Sequence, residues 1–429
     1  MSVSNHKTLL IKNTSLNLIG HFYLAIASLI AIPITLKYLG THQFASLALI
    51  NTFVALSSLF HFGLHQATIR FLALHHQHPS KQQLYTLTAI LNIFILTLIL
   101  GSIGLICKPF ITSTFHLSNH LFNLTFGLVF INYLTNFFNT FPQARNDFIF
   151  YNLKVLLVGT SNTLLTALFA FRFQSLTAII SIRLLFQILV LIFQLIYLKT
   201  HFSLSLQKLN LSSFISTSKN LFSFGLKKFL GLLSSQGVFH FPRLFISRYF
   251  PLDNLPLFTI PQGLIANIQA SLSQLTTALF PLSTNLISQR HHRRLKRILI
   301  FSELLVISLF ASFTLLVFIF GETFLSLWLH NPQLAHQIQP TFKLLALAYS
   351  LSALSAIPAT LLDSLGKPEI PALFATFNLG LQICFLFLLT PKFGFIGVPL
   401  TILLHNLIQV PIFLIFFKHQ FNKTIASSS

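Results

Sequence analysis

Arg183, Lys227, Lys228 and Lys343 each stand inside a long apolar run of this 429-residue chain. A lysine or arginine at the centre of such a run costs roughly 2.5 to 3.5 kcal/mol to insert into lipid, so each must face water, a partner or a ligand. The ligand chemistry they suit is anionic, because a guanidinium or ammonium grips phosphate and carboxylate oxygens with charge-assisted hydrogen bonds. The plainer alternatives are snorkelling to the headgroups for Lys227 and pairing between helices for the others. Arg243 and Arg248 lie closer to the end of their run, where snorkelling also applies. Lys228 and Arg243 are fifteen residues apart, about 60° around and about 22 Å along an ideal helix, so they share a face unless Pro242 bends it. Arg70 ends the second run, suited either to anchoring that end or to guiding an anionic head group.

The acids are few: Asp147, Asp253, Glu303, Glu322, Asp363 and Glu369. An exporter driven by protons or Na⁺ needs a carboxylate within the membrane, and none precedes residue 147, so an N-terminal carboxylate site is excluded. Glu303 is the best remaining candidate for proton coupling, with pairing to Arg297 as the plainer expectation. His61, four residues from His65 and expected on the same helical face, is the second candidate, since imidazole titrates near neutrality. The "HHQHP" stretch (75–79) lacks neighbouring acids or cysteines and makes a poor metal site. Cys107 and Cys384, both in apolar runs, offer neither a disulfide framework nor a cysteine metal site. No nucleophile elbow, phosphate loop or acid pair points to catalysis, so neither metal nor cofactor is expected and the chain is not read as an enzyme.

The elements that hold these residues follow from composition. At 54% hydrophobic, 8% charged and a mean hydropathy of +0.78, the chain cannot clothe a soluble surface of its size. Apolar stretches of about 20 residues recur almost to the end, which predicts an all-α polytopic membrane protein. Twelve helices are expected: 16–36, 44–64, 84–107, 117–141, 153–172, 176–198, 220–249, 255–286, 298–320, 340–362, 370–390 and 394–417. The first lacks a small-residue cleavage site and is read as a span rather than a signal peptide. The even count puts both termini on one side. Seventeen Lys and Arg fall in the termini and even-numbered connectors, Lys154 among them, against six in the odd connectors. Positive residues resist translocation, so both termini are expected in the cytoplasm. The run "QRHHRRLKR" (289–297) then reads as a cytoplasmic loop, with topology explaining its charge more cheaply than a nucleotide or anionic-lipid site. The formal charge of +21 is spread over such connectors, so no nucleic-acid partner is implied.

A weak echo relates the two halves. "KYLGTHQFASLALI" aligns with "RYFPLDNLPLFTI", with Tyr38 on Tyr249 at an offset of 211 residues. Six spans therefore repeat in the same orientation, about an axis along the membrane normal, with a substrate path expected between the halves. The expected division is an N-terminal six-helix lobe (1–198), a Ser-rich cytoplasmic linker (199–219) and a C-terminal six-helix lobe (220–429).

"YLGTHQFASLAL" (38–49) and "HFGLHQATIRFLA" (61–73) resemble the first hairpin of polysaccharide flippases of the O-antigen type, in the multidrug/oligosaccharidyl-lipid/polysaccharide (MOP) superfamily that includes the MATE exporters. The matching positions are Leu39, Gly40, Phe44, Gly63, Leu64, Arg70 and Phe71. His61 stands where the family usually has Asp, and Ala45 where it has Gly. "FPRLFISRYF" (241–250), with Pro242 in place of an Asp, resembles the seventh-span segment, and "LLDSLGKPEIPAL" (361–373) the connector after the tenth span. The resemblance implies two MATE-like lobes, and Arg70, a matched position, together with the charges Arg183, Lys227, Lys228, Arg243, Arg248 and Lys343 is expected to form a cationic cavity between them. Its cargo would be a polyprenyl-pyrophosphate-linked oligosaccharide crossing the bacterial inner membrane. Its partners would be that lipid-linked glycan and the surrounding lipid, with a glycan polymerase of the same pathway as the candidate protein partner. Two rivals stand beside it. A MATE-like exporter of small cations predicts acids in the cavity, and a membrane glycan polymerase or ligase predicts a large outer loop.

Overall fold

A computed structural model of the chain describes residues 3–115, 117–202, 210–289 and 291–428, with side chains from residue 20 onward apart from residue 21 and scattered positions in 271–292 and the last six residues. Lys7, Lys12 and Arg290, and the 203–209 part of the expected linker, lie outside what is described. Among the described residues the chain is helical, with no strand. In lipid this is what the backbone demands, since each N–H and C=O must be satisfied within its own segment.

The helices are α1 (Val3–Leu56), α2 (Leu64–Leu74), α3 (Pro79–Ile106), α4 (Lys108–Phe115), α5 (Asn119–Phe138), α6 (Thr140–Ala144), α7 (Phe148–Thr160), α8 (Thr166–Phe173), α9 (Leu176–His201), α10 (Leu211–Tyr249), α11 (Leu255–Ser288), α12 (His292–Leu329), α13 (Pro332–Ala353), α14 (Ala356–Ser364), α15 (Glu369–Phe393) and α16 (Gly397–Ser428). Eight stretches are long and apolar enough to cross a membrane. Phe22–His61 contains two spans joined at Gly40, and Glu369–Lys423 contains two more, α15 and α16. With the more polar α10 and α11, the described residues make twelve spans, each overlapping its expected range. Their outer faces carry exposed Leu98, Ile106, Ile196, Leu316, Ile319 and Ile415, as lipid-facing surfaces should.

Two glycines set the path of the first hairpin. Gly40 has φ +74°, a backbone conformation that turns the chain between the first two spans and that a side chain would strain, although nothing lies within 4 Å of a Cβ there. Gly63 has φ +75°, and a Cβ there would sit 2.0 Å from the carbonyl oxygen of Gly225, so the backbones of α2 and α10 touch directly. Phe62 is left-handed too (φ 47°), so the second span is broken into two helical pieces after a 3₁₀ turn at Ser57–His61. His61 and His65 therefore do not share one continuous helical face, contrary to the sequence expectation, although their rings remain 6.5 Å apart.

The chain forms two compact units, Met1–Leu233 and Ser234–Ser429. α9 ends at His201 and α10 begins at Leu211, on either side of the middle of the expected linker, and the first unit also takes in the start of α10. Within the first unit α1 packs on α7 and α8, α5 on α9, and α2 on α3 and α6, around Tyr133, Phe137 and Phe141. Within the second, α13 is central, meeting α11, α12 and α16.

Candidate functional site

The first unit is built around Arg183. It lies on α9, 1% exposed, and donates three hydrogen bonds: Nε to Thr166 Oγ1 (2.7 Å), Nη1 to Asn51 Oδ1 (2.8 Å) and Nη2 to the Asn162 carbonyl (2.9 Å). The last acceptor exists because α7 and α8 are joined by a π-helical turn, Ser161–Leu165. Such a bulge shifts the ladder by one residue and leaves a carbonyl without its usual donor. Thr166 donates its own hydroxyl to the Ser161 carbonyl (2.9 Å), which leaves its oxygen free to accept from Arg183. All three partners are neutral, so each guanidinium nitrogen has a hydrogen bond while the charge stays uncompensated.

Asn51 has a counterpart. Gln262 on α11 is 211 residues further on, the offset that aligns Tyr38 with Tyr249, and its Oε1 accepts from Arg243 Nε at 2.7 Å. Gln262 donates in turn to the Phe239 carbonyl and to Tyr349 Oη, both at 3.0 Å, and the Arg243 guanidinium lies 4.7 Å above the Phe239 ring. The internal echo thus places one amide acceptor in each unit, and each amide holds an arginine. The two arginines come from different helices, α9 and α10, so the repeat preserves the acceptor and not the donor.

Other expected residues fall at different depths. Lys227, Lys228, Arg70 and Arg248 are exposed, and Lys343 is half-buried with its ammonium 5.6 Å from the Phe318 ring. Arg70 lies 4.3 Å over the Phe224 ring, tying the end of α2 to α10. His61 is buried, stacked on Tyr133 at 4.3 Å, with Nε2 3.0 Å from the Tyr133 carbonyl. Asp147, the single carboxylate of the first unit, caps α7 by accepting from the Phe150 amide (3.1 Å) and from Tyr197 Oη (3.1 Å). Its oxygens serve the fold.

Two expectations need correcting. Lys154 does not belong to a connector: it sits within α7, its Nζ 2.6 Å from Asn136 Oδ1. The helix starts at Phe148, earlier than the hydropathy indicates, because Asp147 caps it. Glu303 does not pair with Arg297 either. Six residues is about 240° around a helix, which points the two apart, and Glu303 Oε1 is buried with no partner among the described residues. Replacing a half-buried carboxyl that has one oxygen buried without a partner by an apolar group should stabilise, so Glu303→Leu is expected to raise the unfolding temperature in detergent, by a gain of about 1 kcal/mol. A fall would mean that Glu303 has a structural partner.

Sequence reasoning missed His240 and His405. His405 is completely buried with neither ring nitrogen bonded within the described structure, and His240 is buried with Nδ1 unpartnered. The available signal was a histidine inside an apolar run, as in "TILLHNLIQV" (401–410). It also missed Asn51 and Gln262, although the offset of 211 would have paired them.

Twelve spans in two units, with internal cations hydrogen-bonded to amides, describe a polytopic membrane protein. Residues 10–287 match the model of the polysaccharide biosynthesis protein family and residues 232–388 that of the MatE family. The chain belongs to the polysaccharide biosynthesis protein family. It is 23% identical over 410 residues to a Shigella flexneri protein named "Putative O-antigen transporter", covering 91% of this chain and 94% of that one. Its fold matches an inward-facing MATE-family multidrug resistance transporter with a TM-score of 0.78 at 14% identity, over 96% of this chain and 99% of the other. It also matches, with a TM-score of 0.60 at 15% identity over 94% and 96%, a MOP-superfamily transporter from Pyrococcus furiosus described by the reverse polarity of its binding pocket. These likenesses bear out the expected fold class and family.

Proposed function

We propose that the protein is a flippase carrying a polyprenyl-pyrophosphate-linked oligosaccharide, such as an O-antigen, capsule or exopolysaccharide repeat unit, from the cytoplasmic to the outer leaflet of the bacterial inner membrane by alternating access. The observation that carries this reading is the charge of the first unit: its one carboxylate is a helix cap, whereas Arg183 keeps an uncompensated positive charge in its interior. An interior of that sign favours an anionic cargo over a cationic one. The name of the Shigella relative supports the cargo class.

In this reading the exposed Arg70, Lys227, Lys228 and Arg248 meet the pyrophosphate, and Arg183, Arg243 and Lys343 supply the surrounding positive field. Glu303 and His61 are the candidates for coupling to protons. The excess of Lys and Arg in even connectors supports cytoplasmic termini. A glycan polymerase of the same pathway would receive the flipped unit.

The test is flipping of a labelled polyprenyl-pyrophosphate oligosaccharide in proteoliposomes, read by its access to an impermeant external glycosidase. Protein-dependent access is expected, slowed about tenfold or more in Lys228→Ala if the ammonium contacts the pyrophosphate through a charged hydrogen bond worth about 1.5–3 kcal/mol. No access from folded protein, together with export of small cations, would overturn the reading in favour of a MATE-like exporter.

A further inference from the structure

The start of α12 is absorbed neither by the family likeness nor by the proposed cargo. Arg293, Lys296 and Arg297 lie at positions i, i+3 and i+4, and Ile300, Phe301 and Leu304 continue at i+7, i+8 and i+11. These six residues line one open recess of about 430 Å³. All six are exposed, Phe301 to 68% and Leu304 to 59%. The acid closest in sequence, Glu303, does not line the recess. From Arg297 to Trp328 at the other end of α12 is 31 residues, about 46 Å of helix, against about 40–45 Å for a bilayer including its headgroups. With Trp328 at the opposite interface Arg297 therefore reaches the outer edge of the headgroups, and Lys296 and Arg293, about 48 and 52 Å of helix from Trp328, lie at and just beyond it. From Arg293 to Leu304 is about 17 Å, close to the depth of one hydrocarbon leaflet.

We infer that this recess is a binding site for an anionic glycerophospholipid, with Arg293, Lys296 and Arg297 around the headgroup phosphate and Ile300, Phe301 and Leu304 along an acyl chain. Charge complementarity chooses the occupant: three cations and no acid line the recess, continued by an apolar stripe in the direction an acyl chain takes. A soluble phosphate compound would use the cations and leave the stripe empty. The site does not depend on the identity of the transported cargo.

The full chain, purified in detergent and offered equimolar phosphatidylglycerol and phosphatidylcholine, should retain the anionic lipid preferentially by about tenfold in native mass spectrometry, since each cation near a headgroup adds appreciably to anionic-lipid affinity. The triple variant Arg293→Gln/Lys296→Gln/Arg297→Gln should lose that preference. The control Lys81→Gln/Lys418→Gln/Lys423→Gln, which removes equal charge elsewhere, should keep it. A preference that survives in the first variant, or falls equally in both, overturns the inference, because the lipid would then be responding to net charge. Displacement of phosphatidylglycerol by one equivalent of polyprenyl pyrophosphate would also overturn it, assigning the recess to the cargo route. Should the triple variant not fold, Lys296→Gln alone decides: a reduced preference supports the site and an unchanged one removes it.

Discussion

Gly63→Ala is expected to unfold at a markedly lower temperature than the unaltered protein, with a loss of about 3 kcal/mol. Two costs add. The left-handed backbone at φ +75° penalises any Cβ by roughly 1–2 kcal/mol. The Cβ would also stand 2.0 Å from the Gly225 carbonyl oxygen, and since that atom is backbone, α2 and α10 must separate, a form of overpacking that costs about 1–3 kcal/mol. Gly225→Ala should cost less, because its Cβ meets Gly63 and Phe62 backbone at 2.9–3.1 Å. Gly231→Ala, where nothing lies within 4 Å, should be neutral or stabilising by up to about 1 kcal/mol, as alanine is the better helix former. Heating detergent extracts and following the monodisperse fraction by size exclusion gives the ranking. Equal stability of Gly63→Ala and Gly231→Ala would disprove the backbone contact.

The second large effect reverses the usual idea of a conservative change. Arg183→Lys is expected to be more damaging than Arg183→Met. Lysine retains the full cost of a desolvated charge, several kcal/mol, yet its single ammonium cannot reach acceptors on α1, on the π-turn and on α8 as the planar fork does. With hydrogen bonds to a charged group worth about 1.5–3 kcal/mol each, losing two of three costs roughly 3–5 kcal/mol. Methionine forfeits all three bonds but sheds the charge, and the remainder is about 1–3 kcal/mol, chiefly for acceptors left unpaired. Thermal unfolding of the two variants separates the cases. A lysine variant as stable as the unaltered protein would refute the three-way clamp. The flipping assay then adds an independent axis, since only lysine preserves the positive charge.

Much of this architecture was legible from hydropathy, because lipid leaves the backbone few choices and most spans, the more polar α10 and α11 excepted, announce themselves by about 20 apolar residues. The family likeness was legible for a local reason: its matching glycines, Gly40 and Gly63, are held at positive φ in this chain, a conformation that favours glycine. The break at Phe62 was not legible, since a phenylalanine in the left-handed region is decided by its surroundings and not by its propensity. The site was the least legible part. Arg183 could be recognised as a costly residue, but its partner Asn51 is 132 positions away and its third acceptor appears only because a π-turn frees a carbonyl. Lys154 was misplaced because a cap, not hydropathy, sets where α7 begins.

The amide bonds to Arg183 and Arg243 also bear on how such a protein can open without harm. Carboxylate partners would have cancelled both charges and created stations where protons or sodium ions could pause. Asn51 and Gln262 hold the guanidiniums in place and leave their fields intact. In surroundings of low dielectric those fields repel small cations, much as a single arginine does in a water-selective pore. Under the proposed function, each unit would thus keep small cations out by charge instead of by a tight fit.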